Sequence, residues 1–164
     1  MIAITRSAKM IDFMQYEKTL ATLSYQGIFS WKAHVILPDD SSDILISRVS
    51  IWKNICTVKV DRQEIYSSRF LFFGKVRIES KNDIPEIFLL KHKGFFFSKA
   101  VLVDKDGREL ATMQRRFRWK GLKFDYHFEL SDAFKRREGF ILLLTLMVYL
   151  ERIRKKRRSR AMSS

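Results

Sequence analysis

At 164 residues the chain has the length of one domain with a sizeable core, and two Pro and six Gly leave little room for long disordered linkers. A single cysteine, Cys56, excludes an intramolecular disulfide framework, and no Cys/His cluster has zinc spacing. The formal net charge of +14 points to phosphate-bearing partners, either anionic lipid headgroups or nucleic acid, with solubility as the plainer reading.

The N-terminus, Met1 to Lys9, lacks the apolar core of a secretory signal. An amphipathic segment near residues 10–20 reads as a short helix or an irregular entry to the first strand. From residue 29 the pattern changes. Phe29, Trp31, Ala33, Val35 and Leu37 alternate with Ser30, Lys32, His34 and Ile36, which is the period of a strand. A turn cluster over 38–43 follows, and then strand-like runs at 44–51, 55–60, 64–73, 76–79, 84–91 and 95–103. Asp104-Lys105-Asp106-Gly107 makes a tight turn, with Gly107 available for positive φ. Runs at 109–119 and 122–130 complete the set. In the last, Leu122, Phe124, Tyr126, Phe128 and Leu130 face one way and Lys123, Asp125, His127 and Glu129 the other.

Ser131 is a good N-cap and Asp132 suits a first helical turn, so a helix is expected over about 132–157. Its centre, Phe140 to Leu150, is apolar apart from Thr145 and is bounded by Glu138 and Glu151. Eleven residues span only about 17 Å of a bilayer core of roughly 30 Å, so the stretch reads as a buried core helix. A helix apolar on all faces needs a wrapper, and the preceding strands supply one. Seven basic residues crowd into 152–160, and they read as a disordered tail. There is also an internal echo. Val58 to Asp61 leads to Glu64-Ile65, and Val101 to Asp104 leads to Glu109-Leu110, like two hairpins of a duplicated unit.

The stretch Val101-Leu-Val-Asp-Lys-Asp-Gly-Arg-Glu-Leu-Ala-Thr-Met-Gln-Arg-Arg-Phe-Arg-Trp-Lys-Gly-Leu-Lys-Phe-Asp-Tyr-His-Phe128 resembles the repeat of the tubby-like superfamily. That superfamily includes the tubby C-terminal domain, the phospholipid scramblases and the LURP-one-related proteins. The resemblance covers about 20–155 in layout and 95–150 in recognisable motif. It implies a closed antiparallel barrel around a hydrophobic C-terminal helix. It also implies phosphoinositide binding through basic residues on the barrel surface, or, as in some scramblase relatives, a membrane-anchored helix.

The basic and aromatic strand 115–120 is the first candidate site. Period two puts Arg116, Arg118 and Lys120 on one face, with Lys123 following, and Arg115, Phe117 and Trp119 on the other. Cations about 7 Å apart along a strand can meet several phosphates of one headgroup, and Arg can do so bidentately. The competing reading is a strand face kept soluble and protected from edge pairing by charge. The second candidate is the tail, with Arg154, Lys155, Lys156, Arg157 and Arg158. Each basic residue near an anionic membrane is worth about 1 kcal/mol. The same residues would neutralise nucleic-acid phosphates, or simply solubilise the chain end.

No catalytic constellation stands out. His34, His92 and His127 are far apart, and Cys56 reads as a small core residue. Asp104 and Asp106 hint at a calcium loop, but Leu102 and Met113 occupy ligand positions. The sequence therefore predicts one β-rich domain over 1–151, an antiparallel barrel around a helix at about 132–151, with a basic tail at 152–164. The expected role is non-enzymatic and without cofactor or metal: binding of anionic phospholipid or phosphoinositide headgroups. The expected setting is cytoplasmic and peripheral at the inner face of the membrane. Nucleic-acid binding and a scramblase-like anchored protein are the alternatives.

Overall fold

A computed structural model of the chain describes residues 1–27, 30–50, 54–71, 74–93 and 99–161, with backbone alone at 50 and 158–161. The alternating runs form twelve strands: β1 (Ile2–Thr5), β2 (Met10–Gln15), β3 (Lys18–Tyr25), β4 (Lys32–Leu37), β5 (Asp40–Ser50), β6 (Ile55–Val60), β7 (Gln63–Phe70), β8 (Val76–Ser80), β9 (Ile87–Lys93), β10 (Lys99–Val103), β11 (Glu109–Arg118) and β12 (Lys123–Leu130). Each pairs antiparallel with its chain neighbour, and β1 also pairs with β12. The barrel is closed. Two helices follow, α1 (Asp132–Lys135) and α2 (Phe140–Ala161), and α2 is the apolar helix that the barrel encloses.

The pleat decides which residues face the bore. Phe124, Tyr126 and Phe128 of β12 lie across from Phe117, Arg115 and Met113 of β11, so these six share the inner face. The same face elsewhere supplies Phe13, Leu23, Ile46, Val58, Ile78 and Leu102, all fully buried. Against them stands α2, whose residues from Leu143 to Leu150 are each at most 1 % exposed. The two polar side chains of that stretch are satisfied in place. The Thr145 hydroxyl donates to the Leu142 carbonyl at 2.8 Å, and the Tyr149 hydroxyl donates to the Trp31 carbonyl. Among the described residues no helix is long and apolar enough to cross a membrane.

The structure redraws several boundaries. The 10–20 segment is strand, split between β2 and β3 at a turn where Tyr16 and Glu17 have positive φ. Buried Asp12 hides the alternation there; it accepts from the Thr22 hydroxyl at 2.8 Å and pairs with Arg6. The run expected from 84 begins at Ile87, after Pro85, whose missing N–H suits it to the approach to a strand. The expected strand residues 29, 51, 72–73 and 95–98 lie outside the described residues.

The helix expected over 132–157 is broken at 136–139. Ser131 caps α1 as expected, its hydroxyl accepting from the Phe134 N–H at 3.2 Å. Gly139 then takes φ +71°, which turns the chain so that α2 can enter the bore. Nor does the helix end at 151. It continues through the basic segment to Ala161, because the barrel rim offers partners to the cations there. The echoed hairpins are β6–β7 and β10–β11. They sit at the same end of the barrel but four strands apart, which does not divide a twelve-strand barrel in half.

Candidate functional site

The barrel has an entry end, where α1 leads into α2, and an exit end, where the basic part of α2 emerges between the β1–β2 and β11–β12 loops. At the exit end the cations rest on aromatic rings. Arg152 lies 3.9 Å from the Tyr25 ring centroid, Lys155 4.7 Å from Phe124, Lys156 5.0 Å from Trp31 and Arg157 5.3 Å from Phe70. The strands add Arg115 at 4.4 Å from Phe124 and Arg48 at 5.2 Å from Trp31. A ring face orients a cation without neutralising it.

Glu151, at the start of the basic part of α2, is engaged. Its carboxylate accepts from Arg154 Nε at 2.9 Å and Nη2 at 2.8 Å, and faces His92 Nε2 at 3.0 Å. His92 Nδ1 faces the Gly74 carbonyl at 2.9 Å. Burial pushes the Glu151 carboxyl up, but the bonds from His92 and Arg154 outweigh it and hold the group below its ordinary value. Arg154 is thereby committed to structure, at 8 % exposed.

Between the β1–β2 loop, the β11–β12 hairpin and α2 lies an open cleft of about 620 Å³. Its cations are Arg115, Lys123, Arg152, Lys155 and Lys156, and Glu151 is its only lining acid among the described residues. Ile11, Leu122, Phe124 and Tyr126 give it an apolar floor. Burial first, and the charge of Arg115 second, hold Lys155 below its ordinary value. Burial raises the Tyr126 phenol to about 12, so the floor is neutral at physiological pH. An anion in the cleft would relieve the crowding of cations. A second cavity, of about 500 Å³ at the entry end, is lined among the described residues by one lysine, Lys135, and no arginine.

Of the residues singled out from the sequence, Arg115, Lys123, Lys155 and Lys156 come together in this cleft. The outward set Arg116, Arg118 and Lys120 does not act as three equivalent cations. Arg118 is held in the closing seam, with Nε 2.8 Å from Asp125 Oδ2 and Nη2 donating to the Thr5 carbonyl at 2.8 Å. Arg116 and Lys120 are exposed beside it. Lys123 Nζ donates to the Arg6 carbonyl at 2.6 Å, which fixes it at the cleft rim. Arg157 is on the rim by Phe70, and the side chain of Arg158 lies outside the described residues. Sequence reasoning left Arg152 out of the site. Its spacing to Lys155 and Lys156 (i, i+3, i+4) puts all three on one helical face, a signal legible in the sequence.

Elsewhere the Asp104 carboxylate accepts from the backbone N–H groups of Asp106 and Arg108, at 3.0 and 2.9 Å, so it serves its own turn. Cys56 is buried in the barrel wall, and burial raises its thiol to about 12. Comparison with protein-family models, with curated proteins and with solved structures finds no match to this chain.

Proposed function

We propose that the protein is a non-enzymatic binding domain whose exit-end cleft takes a phosphate-bearing headgroup, that of a phospholipid or phosphoinositide in a membrane surface. One observation carries this reading: five cations converge on an open cleft whose single lining acid among the described residues is already committed to His92 and Arg154. The apolar floor favours a headgroup with the start of its lipid over a bare inorganic anion. Membership of the tubby-like superfamily belongs to the same proposal, supported by the motif over 95–150 and by the barrel built around its helix. So does a peripheral position at the cytoplasmic face of a membrane. Anchoring through α2, the scramblase-like alternative, would first require the barrel to release its own core.

Nucleic-acid binding is the second reading. It is favoured by the exposed Trp119 ring beside Arg116 and Lys120, since bases stack on such rings within a positive field. Co-sedimentation separates the two. The protein should pellet with vesicles of phosphatidylcholine mixed with phosphatidylserine or phosphatidylinositol bisphosphate, and not with phosphatidylcholine alone. Equal binding to neutral and anionic vesicles would overturn the headgroup reading. Preferential capture by single-stranded RNA over anionic vesicles across rising salt would install the second.

A further inference from the structure

Resting on the lipid reading above, we infer that the tip of the β11–β12 hairpin is a membrane-interface anchor. Trp119 and Leu122 enter the boundary between headgroups and acyl chains while the neighbouring cleft holds phosphate. Trp119 is 82 % and Leu122 72 % exposed, on a chain whose other large apolar side chains mostly fill the bore. The tip is tightly made, with the Leu122 N–H donating to the Trp119 carbonyl at 3.1 Å. Gly121 there has φ +83° and Leu122 φ +49°. The left-handed region disfavours leucine and suits Gly, Asn or Asp. Other turns of the barrel place Tyr16, Glu17, Asn54, Asp61, Arg62 or Gly107 in it. A polar residue at 122 would relax the backbone and remove an exposed apolar side chain. Tyr16 carries the same two costs at the entry end. Leu122 differs in carrying them beside a cationic cleft, which points to a use outside the folded chain.

The tip is also coupled to the cleft. Trp119 packs edge-on against Phe117 at 5.0 Å, and Phe117 packs on Phe124 at 5.1 Å, the ring beneath Arg115 and Lys155. This ladder holds the tryptophan at a fixed place relative to the cations. Arg116, Lys120 and Lys123 flank the apolar tip, the charge complement of an anionic headgroup layer. Tryptophan is the side chain best suited to that layer, its ring amphipathic.

The test compares the full chain with a hairpin variant, Trp119→Ser, whose side chain does not line the cleft, and with Tyr16→Ser as an entry-end control. Probes are vesicles of phosphatidylcholine with phosphatidylserine, and inositol hexakisphosphate as a soluble polyanion. The hairpin variant should bind the vesicles about 10- to 100-fold more weakly, from the apolar area left in water. It should keep its inositol hexakisphosphate affinity and its thermal midpoint, and Tyr16→Ser should match the unaltered protein on both probes. If the unaltered protein binds neither probe, the headgroup reading falls and takes this inference with it. If it binds vesicles and the hairpin variant binds them equally well, the inference alone falls. Loss of single-stranded RNA binding with vesicle binding intact would also overturn it, making the hairpin a base-stacking platform. A second measurement needs no loss of binding: vesicles of brominated lipid should quench a part of the fluorescence that Trp119→Phe removes. Equal quenching in that variant would sink the proposal.

Discussion

The two ends of the barrel are built from the same strands but treat charge in opposite ways. At the entry end cations meet carboxylates: Arg137 pairs with Glu86, and Lys135 with Asp132 at 2.8 Å. At the exit end Arg6, Arg118 and Arg154 also meet carboxylates. Arg115, Arg152 and Arg157, however, face aromatic rings, and among the described residues none of these three is in an ion pair. A carboxylate quenches the field of its partner, whereas a ring only positions it. The entry end is therefore a lid for the core. The exit end presents its charge.

The comparison depends first on α2, which runs through both ends. Leu144→Asp puts an unpartnered carboxylate at a fully buried position, so it should abolish the cooperative thermal transition, a loss of more than about 4 kcal/mol. Circular dichroism reads it. Next comes a committed acid of the exit end. Glu151→Gln strands Arg154 and should cost about 3 kcal/mol in urea unfolding at neutral pH. The Glu151 carboxyl lies below its ordinary value of 4.5. Its contribution is thus complete above that value and fades as pH falls through the lower, folded value. The variant's stability should accordingly fall less than that of the unaltered protein below pH 4.5.

Charge removal probes the contrast directly. Arg115→Gln with Arg152→Gln should weaken binding to anionic vesicles by about 10- to 100-fold, at about 1 kcal/mol for each cation. The matched entry-end pair, Lys135→Gln with Arg136→Gln, should leave that affinity within about twofold. Equal losses from the two pairs would mean that net charge, and not the cleft, does the binding. The smallest effect belongs to the entry end. Gly139→Ala forces a Cβ into the left-handed region 3.4 Å from the Tyr66 hydroxyl, and should cost about 1 kcal/mol in stability with vesicle binding unchanged.

Much of this was legible because strand and helix periods are local. The alternation in 122–130 gave the inner face of β12, and the apolar run from Phe140 gave the helix that the barrel surrounds. What stayed hidden was long-range. Strand β1 is only four residues long, and its pairing with β12 spans nearly the whole chain. The assignment of Arg118 to the seam depends on Thr5 and Asp125, and no periodicity carries that. The helical continuation past 151 depends on Tyr25, Trp31, Phe70 and Phe124, rings contributed by four different parts of the chain. Arg152, Lys155 and Lys156 were the exception, since their spacing alone puts them on one face.

The closing seam also sets an order of assembly. Direct backbone pairing of β1 with β12 joins Ile2 to His127 and Ala3 to Tyr126, reinforced where the Thr5 N–H donates to Asp125 at 2.9 Å. A helix with bulky side chains on all sides does not thread into a finished tube. The sheet must curl around α2 and seal afterwards, so the last contacts to form join the first strand to the twelfth. Pairs so distant in sequence slow the search, and until the seam shuts both strands present open edges. Folding of this chain is a race between wrapping its own axle and pairing those edges with another molecule.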